Sequence, residues 1–116
     1  MNLDKYKSVK YHDNDYNCLH FAVDFYRDLT GRDMELYVTE LMTGRDKRTI
    51  NPSKLKEFKH ISAPIDPCLA IMRGGEVHAG IYTDGLIIHL TNTGINAQPP
   101  HIARLRHGAI TYYQVN

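Results

Sequence analysis

The chain predicts an α+β domain: helices first, then a small antiparallel sheet of about four strands, with the first helix docked against it. Three observations carry this. Residues 18–29 hold one apolar stripe of helical period, residues 77–91 alternate at the strand period around Asp84-Gly85, and Gly108 to Val115 reads as a closing strand. A single domain over residues 1–116 is large enough for one core without disulfides.

The first helix comes from the run Tyr16 to Gly31. Cys18, Phe21, Ala22, Phe25 and Leu29 fall on one stripe of a 3.6-residue period. Asp15 or Asn17 is a natural N-cap and Gly31 a natural stop. Cys18 therefore belongs in the first turn, facing the rest of the protein. The unsatisfied N–H groups and the positive end of the helix dipole favour a thiolate there, below the free value of about 8.5. Free cysteine is also a common core residue, so the helix alone leaves Cys18 open between nucleophile and packing.

The middle of the chain is plainer. Met34 to Met42 suggests a short helix stopped at Gly44, and Arg45-Asp46-Lys47-Arg48 is a charge run that reads as a solvated loop or a contact for an acidic peptide. Pro52 to Lys59 begins as helices with an early proline do. His60 to Pro67 connects it to the sheet, which Cys68 enters as a small buried residue.

The hairpin is the informative part. With Asp84-Gly85 as a two-residue turn, Thr83 pairs with Leu86, Tyr82 with Ile87, Ile81 with Ile88 and Gly80 with His89. His78 and His89 are then diagonal neighbours on one face, roughly 7–8 Å apart at the backbone and within side-chain reach. Gly80 leaves room for two imidazoles to approach. The other face, Val77, Ala79, Ile81, Leu86, Ile88 and Leu90, is apolar throughout and must be core. Thr91 to Pro100 then reads as a turn-rich loop near the histidines, where Asn92, Gln98 or His101 is either a surface connector or a substrate contact.

A thiol nucleophile needs a base to ionise it and a third group to orient the base, and Cys18, His78 and His89 supply those types. The histidines also admit a structural pair or a metal site. Zinc favours close ligand pairs, which the chain lacks, and Cys18 and His20 diverge at i, i+2, so no metal is expected. His20 reads as structural or rim.

Tyr16-Asn17-Cys18 on a helix, His78-Ala79-Gly80-Ile81-Tyr82 on a strand and Ile87-Ile88-His89 on the next together resemble the NlpC-type papain-like cysteine peptidases. The resemblance covers about residues 14 to 30 and 66 to 91, and Ile110 to Tyr113 is similar to the terminal strand of compact versions encoded among phage tail genes. It implies a papain-like fold with Cys18 as nucleophile, His78 as general base and His89 as the residue orienting it. It also implies Tyr16 and Asn17 beside the oxyanion and substrate sites, and no cofactor. The implied substrate is a bacterial peptidoglycan stem peptide, cut at an amide bond, and other phage tail proteins are the implied partners. Two departures bear on this. Asn17 stands where the family usually carries aspartate, which removes a charge used to read the substrate's amino group. Leu19-His20 stand where small residues are common, narrowing the cleft.

Composition excludes other classes. Fourteen Lys and Arg balance thirteen Asp and Glu at a net charge of +1, interspersed, so nucleic acid and anionic membrane are not expected partners. No apolar run approaches the ~20 residues of a membrane span. Met1 to Lys10 lacks an apolar h-region, so cytoplasmic synthesis without a signal peptide is expected, with delivery to a cell wall by a virion, lysis or secretion machine. A reduced compartment then leaves Cys18 and Cys68 as thiols rather than a bridge. Two other classes stay open: a structural tail component that keeps the peptidase fold with little or no activity, and an acyl-transfer enzyme using the same dyad. His89→Ala is expected to slow the peptidase and leave the fold largely intact.

Overall fold

In the computed structural model, which describes residues 3–12, 16–34 and 59–114, helix α1 runs Cys18–Thr30. Asn17 fixes its start. The Asn17 side-chain oxygen accepts from the backbone N–H of Leu19 at 3.0 Å and of His20 at 3.3 Å, while Nδ1 of His20 accepts from the Asn17 N–H at 3.0 Å. This reciprocal capping box satisfies N–H groups that a helix start otherwise leaves unpaired. Gly31, at φ 74°, ends the helix in the left-handed conformation that costs glycine least. Asn17→Ala is expected to lower stability by about 1 kcal/mol, a fall of about 5 °C in Tm, read by thermal unfolding.

The N-terminal segment is tied to the same helix. Tyr6, in a short 3-10 turn over Asp4–Tyr6, lies edge-on to Phe21 at 5.0 Å and to Phe25 at 6.1 Å. Its hydroxyl donates to Asp28, whose carboxylate also meets Nζ of Lys5 at 2.9 Å. Those two hydrogen bonds hold the Asp28 carboxyl below its usual range.

Among the described residues the sheet has six strands: β1 (Lys59–Ile61), β2 (Cys68–Gly74), β3 (Glu76–Thr83), β4 (Leu86–Thr91), β5 (Gly94–Gln98) and β6 (Ala109–Gln114). Their order is β1-β6-β2-β3-β4-β5, with every pairing antiparallel. A second helix, α2 (Pro100–His107), links β5 to β6. The expected α+β class, antiparallel sheet and helix on sheet are all present, but about four strands undercounts the sheet. Lys59 opens β1 rather than closing a helix, and residues 94–98, read as loop, pair with β4. The expected elements over residues 35–58, including the charge run Arg45 to Arg48, lie outside the described residues.

The Asp84-Gly85 turn has φ of 54° and 76°, the two positive values a two-residue hairpin needs. Thr83 pairs with Leu86, Tyr82 with Ile87 and Ile81 with Ile88, in the expected register. Asp66 clasps this turn, its carboxylate accepting from the Thr83 hydroxyl at 2.6 Å and the Asp84 N–H at 3.0 Å.

Strand alternation gives the sheet two unlike faces. One carries Leu69, Ile71, Ala79, Ile81, Ile88 and Leu90, all fully buried under Phe21, Ala22 and Phe25 of α1. The other carries Ala70, Met72 and Ile87, covered by Ala103 of α2. The apolar hairpin face expected to be core is the one beneath α1.

Candidate active site

The histidines stand on the α2 face. His78 alternates with Val77 and Ala79 along β3, and His89 lies between Ile88 and Leu90 of the α1-side core. Their rings meet at right angles, 4.8 Å between centroids and 80° between planes, with Nε2 of His78 2.7 Å from Nδ1 of His89. Gly80 makes this possible. A Cβ there would lie 3.1 Å from the His89 Cβ and 3.1 Å from Cγ2 of Ile87.

The chain of bonds runs on into β5. Nε2 of His89 lies 3.0 Å from Oε1 of Gln98, an oxygen that can only accept. His89 is therefore protonated at Nε2 and bare at Nδ1, where it accepts the Nε2–H of His78. Nδ1 of His78 is left as the basic nitrogen. This Gln98–His89–His78 relay fixes one tautomer at each ring, as an orienting group does for a general base.

The relay is neutral. Burial, then the positive charge that His89 and His107 would carry, holds His78 down to about 3. Burial also lowers His89 to about 4, against a smaller opposing effect of its bond to Gln98. His78 is thus an unprotonated acceptor at neutral pH. Being weak, it needs an anionic neighbour to hold the proton it receives.

His107, the last residue of α2, joins the pair. Its ring stacks on His78 at 5.3 Å and 26°, and stands edge-on to His89 at 4.8 Å and 82°. Neither His107 nor the role of Gln98 is visible in the sequence pattern. Gln98 stands out there only as a loop residue near the cleft, and its partner across β4 is set by pairing. His107 belongs to an eight-residue helix with one buried residue, too short to show a stripe. Among the described residues no group of three or more His, Cys, Asp or Glu is placed to hold a metal ion.

Cys18 is elsewhere. It occupies the first position of α1, half-buried against the core under that helix, and it is not in a disulfide. His78 and His89 point to the opposite side of the sheet, and the charges acting on His78 come from His89 and His107. The structure brings together two members of the expected Cys18-His78-His89 set and leaves the sheet between them and the third. The cause is packing. Cys18 shares its helix stripe with Phe21, Ala22 and Phe25, whose burial draws α1 onto the apolar hairpin face.

The two expected substrate-side residues are also engaged locally. Asn17 is buried, its side chain capping α1. The Tyr16 hydroxyl donates to Asp24 at 2.6 Å, and its ring stacks on His20 at 5.9 Å. Burial and the Asp24 carboxylate push the Tyr16 phenol up, so it stays protonated. His89, wholly buried and bonded at both nitrogens, carries more than orientation. His89→Ala would strand the His78 N–H and the Gln98 oxygen, so an intact fold is not the expectation for that variant.

Cys68 is buried in β2, and desolvation raises its thiol to about 11, which makes it inert. Among the described residues no helix is long and apolar enough to cross a membrane. No family model matches the chain, and no curated protein matches it.

Proposed function

We propose that the chain is an NlpC-type cysteine peptidase that hydrolyses an amide bond in bacterial peptidoglycan stem peptides as a phage tail-associated or prophage-encoded component. The observation that carries this reading is the 2.7 Å bond between His78 and His89, continued to Gln98. It leaves a bare, oriented nitrogen on the histidine that the His-Ala-Gly-Ile-Tyr motif nominates as base. Cys18 at a capped helix start is the matching nucleophile.

In this chemistry Nδ1 of His78 accepts the Cys18 proton, and the sulfur attacks the amide carbonyl. The helix start, with the Cys18 N–H, stabilises the oxyanion. The protonated His78 gives its proton to the leaving amine, and water hydrolyses the thioester, returning the thiol. No cofactor enters. The reading carries a definite requirement: the first turn of α1 must reach the His78 side of β3, an arrangement different from the one described.

That separation favours a second reading, a structural tail component with a peptidase-like fold and little or no activity. Digestion of purified peptidoglycan, with products read by mass spectrometry, decides between them. The peptidase releases fragments with new amine and carboxylate ends, loses this in Cys18→Ala, and slows about 10²–10⁴-fold in His78→Ala. No fragments from the wild type, or the same fragments from Cys18→Ala, would overturn it.

A further inference from the structure

We infer that His107 is a positioning residue for the His78–His89 relay, holding the ring plane of His78 in the orientation that keeps its Nε2–H on Nδ1 of His89, the bond that sets its tautomer. The inference rests on the reading of His78 as a base. Three imidazoles from three elements meet here, each within 4.8–5.3 Å of the other two.

A built contact places the third. β2 ends at Gly74 and α2 is capped by Gly108, and these two glycines touch backbone to backbone. A Cβ on Gly108 would lie 2.4 Å from both Cα and N of Gly74, and one on Gly74 would lie 2.7 Å from the His107 carbonyl oxygen. Gly108 is also at φ 93°, ψ −173°, a conformation essentially confined to glycine. Only two residues without side chains let the last turn of α2 settle this close to the end of β2. There, Met72 pairs with His78 on the neighbouring strand. The result is a His107 ring nearly parallel to that of His78.

His78 needs such a contact. One bond, from its Nε2–H to His89, holds a point on the ring and leaves the plane free to swing about that bond. A flat partner against the face removes the swing. With plane and bond both fixed, Nδ1 stays bare and stays aimed in one direction. Among the described residues, His78, His89 and, on α2 itself, Arg106 are the titratable or charged groups that act on or against His107. Burial and Arg106 hold it below its ordinary value, so a neutral ring stacks on a neutral ring.

Imidazole nitrogen resonances of the uniformly ¹⁵N-labelled chain at neutral pH test this. In the wild type, His78 gives two well-separated signals, a protonated Nε2 and a bare Nδ1, with a ring–ring nuclear Overhauser effect between His107 and His78. In His107→Ala the two nitrogen signals move toward the tautomeric average, and in His107→Phe, which keeps a flat ring, the separation returns. Unchanged His78 signals in a folded His107→Ala overturn the inference. Absence of the wild-type Overhauser effect overturns it too, whether or not the variant folds. No substrate is used, so failure here is separate from failure of the peptidase reading, which peptidoglycan digestion decides.

Discussion

Gly108→Ala is expected to lower stability by about 2–6 kcal/mol, a fall of about 10–25 °C in Tm. Two effects add. The backbone at φ 93°, ψ −173° is strained for any residue with a Cβ, at about 1–3 kcal/mol. The new methyl also meets Gly74 Cα and N at 2.4 Å, backbone atoms that cannot swing aside, and such overpacking costs about 1–3 kcal/mol. Against a typical total of about 5–15 kcal/mol, this is a large fraction. Gly31→Ala is the control. It also sits at positive φ, 74°, but nothing lies within 4 Å of its Cβ, so only about 1 kcal/mol of backbone strain is expected. Equal melting temperatures for the two variants, measured by thermal unfolding, would contradict the close approach of α2 to β2.

The second large effect is acid sensitivity beginning above the carboxylate range. His78 and His89 are held at about 3 and about 4 in the fold, below the ordinary value of about 6.5 in the unfolded chain. Between those values the unfolded chain binds the protons and the fold does not, so stability rises with pH. The contribution is fully present above about 6.5 and is lost as pH falls from there toward the folded values. Each histidine that stays neutral contributes a slope of up to about 1.4 kcal/mol per pH unit, so the pair costs on the order of 5 kcal/mol by pH 4.5. Asp28 and Asp66, whose carboxyls their hydrogen bonds hold low, act only below about 4. Urea midpoints between pH 7.5 and 4.5 separate the two groups. A midpoint flat down to pH 4.5 would place the histidines in water rather than in the sheet.

What the sequence discloses is what local rules govern. Asn17 and Gly31 bound α1 because capping depends on neighbours only. Asp84-Gly85 sets the hairpin register, and the register predicts that His78 and His89 meet. β5 escapes because Gly94-Ile95-Asn96-Ala97-Gln98 has little alternation of its own and is a strand through pairing with β4. α2 escapes because only Ala103 is buried. Strand β1 is three residues held by the end of β6.

The position of Cys18 is the instructive case. The hairpin has one apolar face and one bearing histidines, and α1 buries Phe21, Ala22 and Phe25 of the expected stripe, but Leu19, Val23 and Tyr26 are buried as well while Cys18 and Leu29 are only half-buried. Joining them requires the stripe of Phe21 and Phe25 to bury against the apolar face, which carries Cys18 away from the histidines. The motif order and the burial of apolar area make opposite demands on the same helix. Burial decides the arrangement described here.

The pH dependence of iodoacetamide alkylation at Cys18, with Cys68 followed separately by mass spectrometry, tests the proposed nucleophile–base pair most directly. The peptidase reading predicts a Cys18 thiolate with an apparent pKa well below about 8.5, rising in His78→Ala as the proton acceptor is lost. A Cys18 that reacts as an ordinary thiol, with the same profile in wild type and His78→Ala, would contradict that pairing and leave the structural reading.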